Sequence, residues 1–297
     1  MRRAVLIVNP YATAVTPRRL EDVEAVLRRR NSVTTRMTEG PGHATELAAE
    51  AGEGADAVVV FSGDGTYNEA INGATGELPF GFVPGGGTSV LPRALGLPRD
   101  PLAAAERVGD ALAENRTRSI SLGRVNGRRF TFAAGIGLDA ELVRRVDALG
   151  RTADGQRPGT LAFVRALLKL LAAEHLHISP RLEVVGRGRA AFVFVANGHP
   201  YTYAGPQPVI VSRTASFEQG LDFVAVHELT PAAAPLVLLR ALRGTLGQAG
   251  SVFSGHDIDN FEVRCDVPLP LQADGEDLGD VSEAVFESER DALAVLV

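Results

Sequence analysis

Ser62-Gly63-Asp64-Gly65-Thr66-Tyr67-Asn68-Glu69 places an acid between two glycines directly after an apolar run. Glycines at 63 and 65 admit backbone angles that other residues resist, and they let the main chain approach a ligand closely. The amides of such a turn, leading into a helix, form a concave anion site suited to phosphate. A carboxylate there repels phosphate unless it meets Mg²⁺ or takes a proton from an attacking hydroxyl. Asp64 is therefore a candidate for phosphoryl-transfer chemistry. The bland alternative is a Gly-Asp-Gly turn in which Asp64 caps the following helix. A second cluster, Pro84-Gly85-Gly86-Gly87-Thr88, ends a later apolar run in the same way.

Further along, Asp274-Gly275-Glu276 in LQADGEDLG offers two acids at a strand turn, and Asp139 in AGIGLDAELV opens a helix, where an N-cap is its commonplace role. Phosphoryl transfer also needs cationic relief. The P-loop pattern GxxxxGK[ST] is absent, but RRVDALGRTADGQRPGT is basic and glycine-rich. A solvated loop accounts equally well for that segment. Cys265, the one cysteine, reads as a half-buried strand residue in FEVRCDV, and the six histidines show no zinc-like spacing.

The elements that must position these residues fall into two halves. Up to about residue 118, short apolar runs alternate with helical patterns: AVLIVNP, PRRLEDVEAVLRRR, NSVTTRMTEG, ATELAAEAGE, DAVVVFSG, TYNEAINGA, PFGFVPGGG and DPLAAAERVGDAL. Alternating strands and helices predict right-handed crossovers and a doubly wound, mainly parallel sheet. Ligands on such α/β sheets bind beyond the carboxyl ends of the strands, where both glycine clusters fall. From residue 119 to about 286 the grammar becomes β-rich. SISLGRVNGRRFTF reads as strand, Asn-Gly turn, strand, and several later strands predict an antiparallel sandwich. The tail 287–297 is expected to rejoin the first domain. Two helices interrupt the second, LDAELVRRVDAL and the widely apolar GTLAFVRALLKLLAAEHL. The latter, and PLVLLRALRGTLG, suit either packing on a sheet or lying at a bilayer surface.

Bulk properties narrow the function classes. The 297 residues suffice for one large or two modest domains, and a net charge of -6 argues against general nucleic-acid binding. No apolar run approaches the roughly 20 residues of a membrane-spanning helix. A single cysteine and no signal-peptide pattern predict a reducing, cytoplasmic setting.

SGDGTYNEAING resembles the GGDGTxNE signature of the diacylglycerol kinase catalytic-domain family, which includes bacterial lipid kinases and sphingosine kinases. The match is carried by Gly63, Asp64, Gly65, Thr66, Asn68 and Glu69, with Ser62 in place of the first glycine, as in sphingosine kinases. GGDGT alone is also similar to NAD kinases; the NEAING continuation points to the lipid branch. Asn9-Pro10 resembles the family's first-strand motif, and TEGPGHA its T…GHA element, whose threonine, Thr38 here, lines the nucleotide site. PGGGTSVLPRALGLP resembles PxGTxNxxARxLGLP, but Gly87 stands at the usual Thr, Ser89 at the usual Asn and Pro92 at the usual Ala. AGIGLDA resembles GxGxDA, and LQADGEDLG carries the family's DGE.

The resemblance implies an α/β domain plus a β-rich domain, ATP as phosphoryl donor, Mg²⁺, and a lipid acceptor reached at a membrane surface. Asn9, Thr38, Ser62, Gly63, Gly65, Thr66, Asn68, Glu69, Gly85, Gly86, Gly87, Thr88 and Asp274 are the implied nucleotide-site residues. Arg151 and Arg157 resemble an arginine pair that binds ATP phosphates in sphingosine kinases, and Asp139 an acid that contacts the acceptor headgroup. Glu276 is the implied general base and Asp64 its partner at proton and metal. SFEQGLDFVAV resembles a DGxLDxxxV segment that holds a structural Mg²⁺, with Glu218 or Asp222 as ligands, although Glu-Gln-Gly replaces the usual Asp-Gly. A soluble acceptor such as NAD, or a non-catalytic lipid or nucleotide sensor, is the alternative function. A homodimer is compatible with the β-rich half.

Overall fold

The computed structural model describes residues 1–297 except 53, 75–77, 151–159, 174–176, 205–206 and 249. The chain divides into two compact units, Met1–Ile120 with Asp291–Val297, and Ser121–Arg290.

The first unit runs β1 (Arg3–Val8), α1 (Pro17–Arg28), β2 (Ser32–Met37), α2 (His43–Ala51), β3 (Ala57–Ser62), α3 (Asp64–Gly73), β4 (Phe80–Pro84), α4 (Val90–Ala94) and α5 (Pro101–Glu114). Strands β1 to β4 pair in the order β2-β1-β3-β4, all parallel. Every residue of β3 is buried, as the unbroken AVVVFS run requires of a strand covered on both faces. The chain end returns here, with Val295 opposite Phe80 in parallel register. Thr16 caps α1 by accepting from the Arg19 amide at 3.2 Å, and Pro17 supplies a preset first turn. Helix α4 was not legible in the sequence; its five residues include a proline and follow a glycine run.

Strand β5 (Thr117–Val125) leads into the second unit, which continues β6 (Arg128–Phe130), β7 (Ala133–Ile136), α6 (Leu138–Asp147), α7 (Thr160–Ala173), β8 (Leu182–Val184), β9 (Gly188–Ala190), β10 (Phe192–Ala196), β11 (Thr202–Ala204), β12 (Gln207–Val209), β13 (Leu221–Val226), α8 (Ala234–Leu242), β14 (Val252–Ile258), β15 (Asn260–Ala273) and β16 (Glu276–Leu296). Here the pairing is antiparallel, β14-β13-β10-β7-β15-β16, with β8 on the flank of β15. Phe223, Phe261 and Phe286 stack in its core, their centroids 5.0 and 4.9 Å apart in succession. The Asn-Gly turn predicted from the sequence forms, and a second tight turn of the same kind follows β15. Asn126-Gly127 joins β5 to β6, and Asp274-Gly275 joins β15 to β16, each pair with positive φ as a primed hairpin turn demands.

No helix among the described residues is long and apolar enough to cross a membrane. Helix α7 buries Ala166 and Leu170 and exposes Leu168, while α8 buries Val237 and exposes Leu236 and Leu239.

Candidate active site

The two glycine loops lie against each other at the carboxyl ends of β3 and β4. The Gly85 amide donates to the Ser62 carbonyl at 2.6 Å. A β-carbon added at Gly85 would fall 2.9 Å from the Ser62 Cα, and one at Gly86 would fall 2.8 Å from the Gly63 Cα. Neither contact is tolerated by real side chains, so the two backbones touch only because both residues are glycine. Gly87 differs: it is exposed and a β-carbon there would meet nothing within 4 Å. Gly87 and Thr88 are therefore the outward part of the loop.

Asp64 sits in the first turn of α3, directly after the N-cap Gly63. Its Oδ2 accepts from the Val90 amide at 2.9 Å and its Oδ1 from the Leu91 amide at 3.1 Å. The acid therefore caps α4 and ties SGDGT to the helix that follows PGGGT. Ser89, just before that helix, is buried in the left-handed region with φ 48°. Asparagine, usual there in the resembled family, tolerates this region better than serine.

Around Asp64 the hydroxyls form a chain. Ser62 Oγ lies 2.8 Å from Thr66 Oγ1, which accepts from Asn9 Nδ2 at 3.2 Å. Asn9 Oδ1 accepts from the Tyr11 amide at 2.9 Å, an Asx turn that closes the loop after β1. Tyr67, invisible as a site residue in the sequence, is fully buried, with its hydroxyl 2.6 Å from the Ser62 carbonyl and 2.8 Å from that of Val83. It bridges the ends of β3 and β4, and burial together with Asp64 holds its phenol well above the ordinary tyrosine range. Thr38 is buried at the end of β2, its amide bonded to the Val8 carbonyl at 2.8 Å. Asn68 is buried on α3, and Glu69 gives its carbonyl to the Thr45 hydroxyl at 3.0 Å.

In the second unit Asp274 is buried and fully engaged. Its Oδ2 accepts from the Thr131 amide at 2.6 Å and hydroxyl at 2.8 Å, and its Oδ1 from the amides of Phe132 and Ala133 at 3.0 and 3.2 Å. Such a carboxylate builds the turn; burial raises its proton affinity and these donors oppose the rise. Glu276, on the exit of the same turn, is half-buried and its Oε2 accepts from Arg128 Nη2 at 2.5 Å. Asp139, at the start of α6, accepts on Oδ2 from the Tyr201 hydroxyl at 2.6 Å and from Gln272 Nε2 at 2.5 Å. A β-carbon at Gly135 would fall 2.7 Å from that same oxygen, so glycine at 135 makes room for the acid. Burial holds the Asp139 carboxyl above its usual range, with the Tyr201 and Gln272 bonds opposing. Sequence reasoning missed Tyr201, Gln272 and Arg128, whose partners lie 62, 133 and 148 positions away. Arg151 and Arg157 lie outside the described residues.

The two expected metal positions differ in fit. Asp64 accepts from one amide on each oxygen, the Val90 amide on Oδ2 and the Leu91 amide on Oδ1. One carboxylate with nucleotide phosphates is an ordinary Mg²⁺ donor set. Asp222 does not fit. It is 1% exposed and accepts from Ser212 at 2.5 Å, Thr214 at 2.6 Å, His256 Nδ1 at 2.8 Å and the Asp257 amide at 3.0 Å. Protein donors supply there what a cation would. Glu218 is exposed and bonds Ser216. Among the described residues no group of three or more His, Cys, Asp or Glu gathers around a possible metal position.

Residues 3–125, which span both glycine loops, match the family described as diacylglycerol kinase catalytic domain. That segment belongs to the diacylglycerol kinase catalytic-domain family. Over 163 residues the chain is 36% identical to a diacylglycerol kinase of Bacillus subtilis (strain 168), covering 52% of each protein. Over 131 residues it is 33% identical to a diacylglycerol kinase of Mycobacterium tuberculosis (strain ATCC 25618 / H37Rv), covering 42% of this chain and 41% of that one. The chain thus spans about half the length of the curated relatives it matches. Among solved structures, a diacylglycerol kinase from Bacillus anthracis str. Sterne superposes with a TM-score of 0.71 at 18% identity, over 99% of this chain and 96% of the other. An NAD kinase from Archaeoglobus fulgidus in complex with ATP superposes with a TM-score of 0.55 at 13% identity, over 99% and 93%. At these identities both show a shared fold, and that fold extends past the catalytic-domain match into the second unit.

Proposed function

We propose that the chain is an ATP-dependent kinase that moves the γ-phosphoryl group to a hydroxyl of diacylglycerol or a similar lipid alcohol. The observation that carries this reading is the pair of glycine loops in backbone contact, tied by Asp64, inside the diacylglycerol kinase match. Amides of Gly63, Gly65, Gly86 and Gly87 cradle the nucleotide phosphates, with Ser62, Thr66, Thr88 and Asn9 as hydroxyl and amide donors around them. The Gly85 amide holds the two loops together through the Ser62 carbonyl. Thr38, Asn68 and Glu69 complete the nucleotide site. Asp64 holds Mg²⁺, which when bound offsets charge on the phosphates.

Glu276 takes the proton of the acceptor hydroxyl as that oxygen bonds to the γ-phosphorus and the bond to the β-phosphate oxygen breaks, releasing ADP. The Arg128 pair orients Glu276. Asp274 is a positioning residue for that turn. Asp139 accepts from the acceptor headgroup. The lipid is met at a membrane surface to which the protein binds transiently.

Purified protein given γ-labelled ATP, Mg²⁺ and a panel of lipid alcohols in mixed micelles is expected to label diacylglycerol or a long-chain base. Labelling of NAD with none of any lipid would replace the lipid acceptor by a soluble one, a reading to which the fold shared with an ATP-bound NAD kinase lends support. Binding of ATP-Mg²⁺ with no acceptor labelled would favour a sensor.

A further inference from the structure

Gln272 is 2% exposed, and its side-chain amide makes three hydrogen bonds, all to residues of the acceptor-side cluster or the turn before Glu276. Its amide nitrogen donates to Asp139 Oδ2 at 2.5 Å and to the Tyr201 hydroxyl at 3.0 Å. Its carbonyl oxygen accepts from the Gly275 amide at 2.9 Å. Gly275 is the residue before Glu276, in the turn that Asp274 anchors to Thr131, Phe132 and Ala133. Tyr201 completes the triangle: its hydroxyl receives from Gln272 and lies 2.6 Å from the same oxygen of Asp139 and 2.9 Å from the Ala134 carbonyl. One buried side chain therefore joins the acid at the start of α6 to the hairpin turn that bears Glu276.

The pattern of donors has a consequence for Asp139. Both side-chain contacts fall on Oδ2. Neither falls on Oδ1. No cation pairs with this carboxylate in these contacts, so its partners are neutral donors that hold it in place without cancelling its charge. A half-buried, oriented acid of this kind suits a ligand that brings its own donor, such as the hydroxyl of an alcohol.

We propose that Gln272 and Tyr201 are positioning residues that fix Asp139 for an acceptor hydroxyl and lock it to the turn carrying Glu276. The inference rests on the reading of Asp139 as the acceptor-side acid and adds the two residues that set its geometry. Neither touches the reacting atoms.

Gln272→Glu separates the two halves of this role. The introduced carboxylate still accepts from the Gly275 amide, but it faces Asp139 with a second acceptor in place of a donor. At high pH the two carboxylates repel; at lower pH a shared proton restores a hydrogen bond between them. The test is initial-rate kinetics with dioctanoylglycerol in mixed micelles and ATP-Mg²⁺, from pH 6 to pH 8.5, on wild type, Gln272→Glu, Tyr201→Phe and Asp139→Ala. In Gln272→Glu the KM for dioctanoylglycerol is expected to rise by about tenfold at pH 8.5, the loss of one oriented hydrogen bond at about 1.4 kcal/mol. It recovers towards wild type at pH 6, and the KM for ATP holds constant throughout. Tyr201→Phe raises the acceptor KM at every pH. A merely structural role for Gln272 would lower the thermal midpoint and move both KM values together. If Asp139→Ala raises the acceptor KM while Gln272→Glu and Tyr201→Phe match wild type, the positioning role is overturned and the Asp139 reading stands. If Asp139→Ala leaves the acceptor KM unchanged, the Asp139 reading itself falls and takes the positioning role with it.

Discussion

At the scale of single residues, the acids of this chain are told apart by what surrounds them. Asp64, Asp139, Asp222, Asp274 and Glu276 all sit at turns or element ends. Asp222 and Asp274 each receive four protein donors and are buried, so they organise loops. Asp64 accepts one amide on each oxygen, and Glu276 is half-buried beside one guanidinium. Replacing Glu276 by Gln keeps the shape of the side chain and removes its basicity. We expect kcat to fall by about 10²- to 10⁴-fold, the span of general-base contributions, with the KM for ATP unchanged. Steady-state kinetics against dioctanoylglycerol checks this. Full turnover in Glu276→Gln would move the proton acceptor elsewhere.

At the scale of elements, the glycines of the second loop have separable duties. Gly85 is buried with its α-carbon pressed on Ser62, whereas Gly87 faces open space. Gly85→Ala must push β3 and β4 apart at their carboxyl ends, and overpacking of this kind costs about 1–3 kcal/mol. Gly87→Ala, at an exposed position with free volume, is expected to stay within about 0.5 kcal/mol of wild type. Urea unfolding of the two variants distinguishes them; equal destabilisation would refute the loop contact. The same geometry explains a departure from the family pattern. Glycine survives where the two loops touch, and the substitutions at 87 and 89 lie at the solvent edge and at the left-handed residue before α4.

For the whole molecule, the shifted carboxylates set the sign of its pH response. Asp139 and Asp274 are raised by burial, so the folded state binds their protons more tightly than the unfolded chain does. Their stabilising contribution is complete below the ordinary value of 3.8 and is lost as pH rises through their folded values. Asp277 is lowered by its bonds to Arg144 and works in the opposite sense, with stability lost as pH falls. Asp139→Asn keeps an acceptor oxygen for Tyr201 and Gln272 but cannot ionise. Relative to wild type, its urea midpoint is expected to improve as pH goes from 4 to 7. A constant offset across that range would mean that Asp139 titrates normally in the folded protein.

Much of this was legible in the amino-acid order because it depends on local physics. The alternation of apolar runs and helical periods foretold the parallel β2-β1-β3-β4 sheet. Asn126-Gly127 foretold a hairpin, since few residues adopt positive φ cheaply. The positions of the glycine loops followed from where the strands end. What the sequence could not give was which acid is engaged by what. Asp64 reaches 26 positions along the chain to cap α4, and Gln272 reaches back 133 positions to Asp139. Tyr67, read as an ordinary helix residue, bridges two strand ends because its hydroxyl meets carbonyls brought together by the sheet. Local order determines backbone shape through sterics, capping and burial. The partners of a charged or polar side chain are settled only when distant segments pack, because desolvation forces each buried polar group to find its donors or acceptors wherever the fold delivers them.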